Sequence, residues 1–251
     1  MDDVRQFFSS KVSDYTASRP SYPAALFEDL AALGLAHDMS VADIGAGTGL
    51  FTKSLLDRGW NVIAVEPNNA MRAAADTALS QYPRYRSVAG AAEATALEDR
   101  SIDLITAAQA FHWFDIEPAR RECLRILRPH GQVALIWNDR DLTDLIQREL
   151  DDLFTEFGGA KRKAVLARED RSSVATFFGA GSIRKQIYPH EQQLDCGGLV
   201  SLALSRSYMP GRDTPEGQRV IELVSQLHQR QAEDGLVTVR YQTVMSVGRP
   251  A

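Results

Sequence analysis

The residues most suited to ligand chemistry are an acid and three glycines in one short stretch of the chain. Asp43 ends a short apolar run, and three glycines follow it at alternate positions: Gly45, Gly47 and Gly49. Because glycine has no Cβ, the backbone there can turn sharply and approach a ligand closely. Helical apolar spacing continues from Leu50, so the stretch predicts a strand, a turn and a helix. In doubly wound α/β folds, this first turn is where nucleotide-like ligands bind.

A second acid, Glu66, is predicted at the end of the next strand, about twenty residues after Gly45, as in nucleoside-binding folds. A carboxylate at that place can accept hydrogen bonds from both ribose hydroxyls of a nucleoside. The alternative is that Glu66 is simply an acid that ends a strand. The glycine spacing is not the dinucleotide pattern G-x-G-x-x-G, because position 50 is a leucine. A nicotinamide-dependent reductase is therefore the less favoured reading, and no Tyr-x-x-x-Lys proton donor supports it.

Apolar patterns predict the elements that position these residues. Between residues 40 and 137, short apolar runs alternate with stretches of helical spacing, which is typical of a parallel sheet with helices on both faces. The predicted strands lie at about 40–44, 61–65, 85–89, 102–107 and 133–137, and the helices between them at about 49–58, 71–79 and 118–127.

The remaining segments are less regular. The stretch Arg128–Gly131 is predicted to end the preceding helix before the fifth strand, and the charged stretch 161–171 is predicted to be a solvated loop. The other predicted elements are helices at about 24–35, 142–157, 197–207 and 216–231 and strands at about 183–194 and 236–247.

Composition argues against several classes of function. The net charge is −5 and no block of five Lys or Arg residues occurs, so a nucleic-acid partner is not expected. The N-terminus lacks the order of a signal peptide, and no apolar run is long enough to span a bilayer. Two cysteines form no disulfide framework, and the five histidines lack metal-ligand spacing. We therefore expect a cytoplasmic protein with no metal and no membrane partner.

The motif from Asp43 to Gly49 resembles the first motif of class I S-adenosylmethionine (SAM) methyltransferases, D/E-x-G-x-G-x-G. Over about residues 15–140 the chain is similar to the trans-aconitate and ubiquinone/menaquinone methyltransferase branch, and the likeness is looser beyond. The resemblance implies an α/β fold with a doubly wound, mostly parallel seven-stranded sheet and helical lid segments at both ends. It also implies SAM as cofactor and S-adenosylhomocysteine as product.

The same resemblance divides one domain, 1–251, into four parts. These are an N-terminal cap (1–35), a SAM-binding core (36–140), helical segments on the substrate side (141–235) and a final strand (236–251).

The resemblance also assigns roles around the cofactor. The acid at position 43 would face the methionine part of SAM, the three glycines would pack on methionine and ribose, and Glu66 would hold the ribose. Met71 would cover adenine, although its helical stripe reads equally as ordinary core. The family's Asp-Ala pair is replaced here by Ala91-Ala92, so the Ala92 N–H and the Glu93 side chain are the candidates for adenine. Gln109, after the fourth strand, is the candidate for the methionine end.

Further candidates flank this core. In the family the N-terminal segment folds over the cofactor, which places Tyr15 and Arg19 at the cofactor, with the arginine suited to a carboxylate. His112 is the candidate general base, although a lone histidine more often serves as packing or hydrogen-bonded scaffolding. The candidates for the substrate pocket are Trp113, Arg140 and Tyr208.

The sequence thus predicts methyl transfer from SAM to a small-molecule acceptor. A carboxylate acceptor would need no base. The N-P-P-Y motif of amino-methylating enzymes is missing, which argues against adenine, cytosine or glutamine amide as acceptor. The alternative from a different class is a SAM-binding module without turnover. The sequence does not specify the oligomeric state.

Overall fold

The computed structural model describes residues 19–34, 39–168, 171–179 and 181–251 of the 251-residue chain. A seven-stranded sheet has the order β3-β2-β1-β4-β5-β7-β6 and is mostly parallel with one antiparallel hairpin, which confirms the predicted α/β class. The strands are β1 (Ser40–Ile44), β2 (Asn61–Val65), β3 (Tyr85–Val88), β4 (Ile102–Ala108), β5 (Leu127–Arg140), β6 (Ile183–Leu194) and β7 (Val237–Gly248).

The strand order reverses beside β1. From β1 the chain winds outward through β2 to β3, and it then returns to place β4 on the other side of β1. Asp43 of β1 is in register with Ala64 of β2 and with Thr106 of β4. Ligands of open parallel sheets bind in the crevice at such a reversal, next to the carboxyl ends of the strands.

The helices follow the predicted alternation. They are α1 (Ala24–Ala31), α2 (Leu50–Leu56), α3 (Asn69–Leu79), α4 (Ile116–Ile126), α5 (Leu145–Arg168), α6 (Ser172–Phe178), α7 (Cys196–Leu204) and α8 (Pro215–Gln231), with a 3-10 turn at Phe111–Trp113. Within the described residues, no helix combines the length and the apolar character needed to cross a bilayer.

The prediction of a loop over 161–171 is wrong, because α5 continues to Arg168. Its regular geometry is interrupted at Gly159, where φ is 49° and ψ is −134°. After this kink, alanines and lysines of high helix propensity continue the helix, and Val165 packs against an apolar cluster. The charge of the stretch concealed this inward-facing residue.

The stretch Arg128–Gly131 follows the end of α4 at Ile126, as predicted, but it forms a bulge inside β5, which begins at Leu127 rather than at Val133. Ile102 pairs with Leu127, but Leu104 pairs with Gln132, so β5 has more residues than β4 over the same distance. Gly131 lies at this shift, and a Cβ there would stand 3.1 Å from two backbone oxygens of β4. Glycine therefore allows the bulge that keeps the strand continuous.

The chain divides into two compact units. The first, here called the sheet unit, comprises Tyr22–Asn138, Asp170–Tyr188 and Thr243–Ala251. The second, the helical unit, comprises Met1–Ser21, Asp139–Glu169 and Pro189–Gln242.

The core of the sheet unit consists of two apolar clusters on opposite faces of the strands. Along β5, Val133, Leu135 and Trp137 belong to one cluster, and Ala134 and Ile136 belong to the other. This alternation is the period of two that a strand covered on both sides requires.

The helical unit has an apolar cluster of its own. It is built from α5, α7, α8 and the first half of β7, and the Phe154 side chain in it is fully buried. Each compact unit thus has its own core.

Candidate functional site

Asp43 is buried between two threonine hydroxyls at the end of β1. Thr52 Oγ1 donates to one carboxylate oxygen at 2.6 Å, and Thr106 Oγ1 donates to the other at 2.9 Å. Burial raises the pKa of Asp43 to about 6, against the two hydroxyl bonds, and the nearby charge of Glu66 adds to the rise. The acid therefore ties β1 to α2 and β4, and its side-chain oxygens already have protein donors.

The glycine turn after Asp43 lies against the end of β2. The N–H groups of Gly45 and Ala46 donate to the Val65 carbonyl at 2.8 and 3.2 Å. Gly45 has φ of 72°, and a Cβ at that position would be 2.5 Å from the Ala110 Cβ. Both the dihedral angle and the close approach require glycine, as the sequence predicts.

Glu66 follows β2 and is anchored by two backbone N–H groups. Gly47 N donates to Oε2 at 2.9 Å, and Asn68 N donates to Oε1 at 2.8 Å. Its residue surface is 7% exposed. A carboxylate has about four acceptor positions, so this anchoring is compatible with bonds to two ligand hydroxyls. The structure thus brings the acid and the glycine turn into direct contact.

Helix α3 begins at an Asn cap that sequence reasoning missed. Asn68 Oδ1 accepts from Ala70 N at 2.9 Å and from Met71 N at 3.1 Å. The cap fixes Met71 beside the turn, where its sulfur would be 3.9 Å from a Cβ at Gly47. The available signal was an asparagine directly before an apolar helical run, which is a usual helix start.

Gln109 follows β4 in an unusual backbone conformation. Its φ of 57° lies in the left-handed region, which is sparsely populated by residues other than glycine. Its N–H donates to the Ile136 carbonyl at 2.8 Å, and its side-chain Nε2 donates to the Asn138 carbonyl at 3.2 Å. Residues held in such conformations cluster at ligand sites, so the strain at Gln109 supports its candidacy.

The aromatic loop after Gln109 contains His112 and Trp113. Their rings have centroids 4.8 Å apart and lie within one 3-10 turn. The turn is fixed by the buried Phe111, which makes edge-on contacts with Phe114, Trp137 and Phe177. The histidine and the tryptophan are each partly exposed.

Ala92 and Glu93 lie in a tight turn after β3. Ala91 and Ala94 exchange two backbone hydrogen bonds across this turn, and Ala92 is buried. Glu93 Oε1 accepts from Asp115 N at 2.8 Å. The side chain of Glu93 therefore has a structural contact at the start of α4 that sequence reasoning did not foresee.

The remaining candidates that the structure describes lie in the helical unit. The guanidinium of Arg140 forms an ion pair with Asp151 and lies 5.2 Å from the centre of the Phe154 ring. Tyr208 packs edge-on against the same ring at 5.9 Å. Arg19 Nη2 lies 3.5 Å from the Ser205 carbonyl, and Tyr15 is outside the described residues.

Comparisons with known proteins agree on one family. The model of a methyltransferase domain matches residues 42–135. An uncharacterised methyltransferase of Mycobacterium tuberculosis is 33% identical over 245 residues, covering 96% of this chain and 95% of the relative. An uncharacterised methyltransferase-like protein of Schizosaccharomyces pombe is 38% identical over 138 residues, which is 54% of this chain and 53% of that protein.

A solved structure agrees with the fold. A candidate type II methyltransferase from Anaeromyxobacter dehalogenans superimposes with a TM-score of 0.66 at 23% identity. The match covers 92% of this chain and 97% of that chain.

Proposed function

The chain belongs to the methyltransferase family, whose fold uses SAM as the methyl donor, and we propose that it methylates a small-molecule acceptor. The observation that carries the proposal is the bond from Gly47 N to Glu66, which places a fixed carboxylate beside the glycine turn. A nucleoside has the matching chemistry, because its ribose offers two neighbouring hydroxyl donors.

The residues at this place fit the cofactor. The glycine turn leaves room where a Cβ would otherwise stand, Glu66 would accept from the ribose hydroxyls, and Met71 would cover the adenine ring. The Ala92 N–H would meet the adenine edge, and Gln109 would hold the methionine end. Asp43 would act through the backbone that it stabilises, because both of its oxygens accept from threonines.

Bound SAM supplies a methyl group that is already activated by a positively charged sulfur. The protein then has to align the acceptor, and alignment alone contributes about 7–11 kcal/mol to rate enhancement. His112 is the residue we assign to accept a proton from a phenol, amine or carbon acid. A carboxylate acceptor has no proton to lose, and the histidine would then serve to position it.

A methyl-transfer assay tests this function. The full chain is incubated with SAM carrying a radiolabelled methyl and with panels of small carboxylic acids, phenols and amines. We expect label to move to at least one panel, with one S-adenosylhomocysteine released per methyl. Tight SAM binding with no transfer to any panel would instead favour a SAM-binding module without turnover.

A further inference from the structure

A group of arginines in the helical unit is built around one carboxylate. Asp151 Oδ1 accepts from Arg162 Nη2 at 2.6 Å and from Arg140 Nη2. The two guanidiniums and the carboxylate have a net charge of +1. Burial acts to raise the Asp151 pKa, but the hydrogen bonds and charges of the two arginines outweigh it and lower that pKa. One anionic oxygen therefore holds two cations close together.

The two arginines are largely buried. The Arg140 side chain is 15% exposed and the Arg162 side chain is 13% exposed. Contacts across the kink of α5 fix Arg162, since its Nη1 also donates to Thr155 Oγ1 at 2.6 Å. Buried charges are normally matched by charges of the opposite sign, so a surplus of positive charge here indicates a binding role.

Several donors in this group have no acceptor. Arg140 Nη1, Arg162 Nε and the Tyr241 hydroxyl are buried without a hydrogen-bond partner among the described residues. Tyr241 is 2% exposed. Nearly all buried polar atoms in folded proteins are paired, so unpaired donors of three neighbouring side chains need an explanation. An absent ligand with acceptor oxygens provides one.

Further arginines place positive charge around the Tyr241 hydroxyl and around the Phe154 ring. Burial raises the pKa of the Tyr241 hydroxyl, and the charges of Arg206, Arg19 and Arg140 oppose that rise, as does a weaker polar contact from the Gln147 side chain, which is a donor and gives the hydroxyl proton no acceptor. The Arg206 guanidinium also lies 5.5 Å from the Phe154 ring, close to the 5.2 Å of Arg140. The Tyr241 hydroxyl thus lies in a positive field, and two of the arginines that contribute to this field also contact the fully buried Phe154 ring.

We propose that the helical unit contains an oxyanion site in which Arg140, Arg162 and Tyr241 bind a carboxylate or phosphate group of the methyl acceptor. That the bound anion belongs to the methyl acceptor rests on the proposed function, whereas the anion site itself rests on the unpaired donors alone. Guanidinium forks match the planar oxygens of carboxylates and the oxygens of phosphates. Asp151 uses one nitrogen of each arginine and Thr155 accepts from a second nitrogen of Arg162, which leaves Arg140 Nη1 and Arg162 Nε for the ligand.

Direct binding measurements test the site. Succinate, citrate and inorganic phosphate are titrated separately into the full chain by calorimetry at constant ionic strength. We expect saturable binding of at least one probe. If only the carboxylates bind, the site favours an acceptor that is a carboxylic acid. If only phosphate binds, the site favours an acceptor that is a phosphate ester. Absence of saturable binding for all three probes would overturn the inference.

Variants locate the binding. Arg140→Gln and Arg162→Gln are each expected to weaken binding of the favoured probe at least tenfold, while Arg140→Lys loses less. The control is Arg219→Gln, because Arg219 on α8 is 56% exposed and pairs with Glu222. Equal affinity in wild type and Arg140→Gln, or an equal loss in the control, would overturn the site.

Tyr241→Phe covers the case in which the arginine variants do not fold. Removing a buried hydroxyl without a partner should raise the melting temperature of the ligand-free protein, while affinity for the probe falls several-fold. A lower melting temperature with unchanged affinity would make the hydroxyl purely structural and overturn its role.

S-adenosylhomocysteine affinity, measured on the same samples, should be unchanged in every variant. If the anion probes fail to bind while S-adenosylhomocysteine binds and methyl transfer occurs, the proposed function stands without the oxyanion site.

Discussion

The N–H of Gly47 donates a 2.9 Å hydrogen bond to Glu66 Oε2, which joins the turn after β1 to the residue after β2. The bond links the two motifs that the sequence suggested separately. It holds the carboxylate at one place before any ligand arrives. A fixed hydrogen-bond acceptor loses less entropy on binding than a mobile one, which favours high affinity for a ligand with sugar hydroxyls.

Replacing Glu66 by alanine should weaken S-adenosylhomocysteine binding by at least about tenfold. The proposed ribose role of Glu66 implies the loss of two charge-assisted hydrogen bonds, each of which would contribute about 1.5–3 kcal/mol. Calorimetry on Glu66→Ala and wild type measures the change, and Glu98→Ala, at an exposed acid, serves as the control. Unchanged affinity in Glu66→Ala would remove the residue from the site.

Replacing His112 by alanine should slow turnover more than it weakens cofactor binding. The histidine is assigned to the acceptor, and its ring packs with Trp113 in a turn that Phe111 fixes independently. Steady-state kinetics and S-adenosylhomocysteine titration on the same preparation separate the two effects. Equal losses in both would identify His112 as scaffold.

Asp43 should make the free energy of unfolding fall as the pH rises from about 4 through 6. Burial raises its pKa to about 6 from an ordinary value of 3.8, so between these values the folded state binds more protons than the unfolded state. The contribution of Asp43 is therefore fully present below about pH 4 and is lost as pH rises through 6.

The contribution of Asp43 to the free energy of unfolding that is lost amounts to about 3 kcal/mol, because a tenfold change in an acid dissociation constant corresponds to about 1.4 kcal/mol. Denaturant unfolding of wild type and Asp43→Asn at pH 4, 5, 6 and 7 isolates this term, because other groups titrate alike in both proteins. Stability should fall with pH more steeply in wild type. Parallel curves would contradict the raised pKa.

Gly45→Ala should destabilise the fold and abolish cofactor binding. The substitution adds a left-handed backbone cost of about 1–2 kcal/mol, and its Cβ would meet the Ala110 Cβ at 2.5 Å. The matched control is Gly34→Ala, which has φ of 88° but open space around its Cβ. Urea unfolding should show a larger loss of stability at Gly45 than at Gly34. Equal losses would show that the contact with Ala110 is unimportant.

Much of the sheet unit could be predicted from local pattern. The boundaries of β1 and β2 match their apolar runs, because parallel strands covered on both faces consist almost entirely of apolar residues. Gly45 was also predictable from local pattern, because the spacing of the glycines shows where the backbone turns. The partners of Asp43 were not, because Thr106 meets it through the register of β4 with β1 and Thr52 meets it from helix α2.

The helical unit was harder to predict because its important contacts are distant in sequence. Arg162 lies in a run of charges that resembles a solvated loop, yet the kink at Gly159 turns it toward Asp151. Tyr241 is one of several alternating residues in β7, and nothing in its neighbours shows that its hydroxyl is buried among arginines. Such polar groupings are defined by packing rather than by spacing.

Calorimetric titration of the full chain with SAM, and with NADH in parallel, decides which nucleoside cofactor the chain binds. We expect one SAM bound per chain and no heat from NADH, because Leu50 departs from the dinucleotide pattern. Binding of NADH with no response to SAM would contradict this expectation.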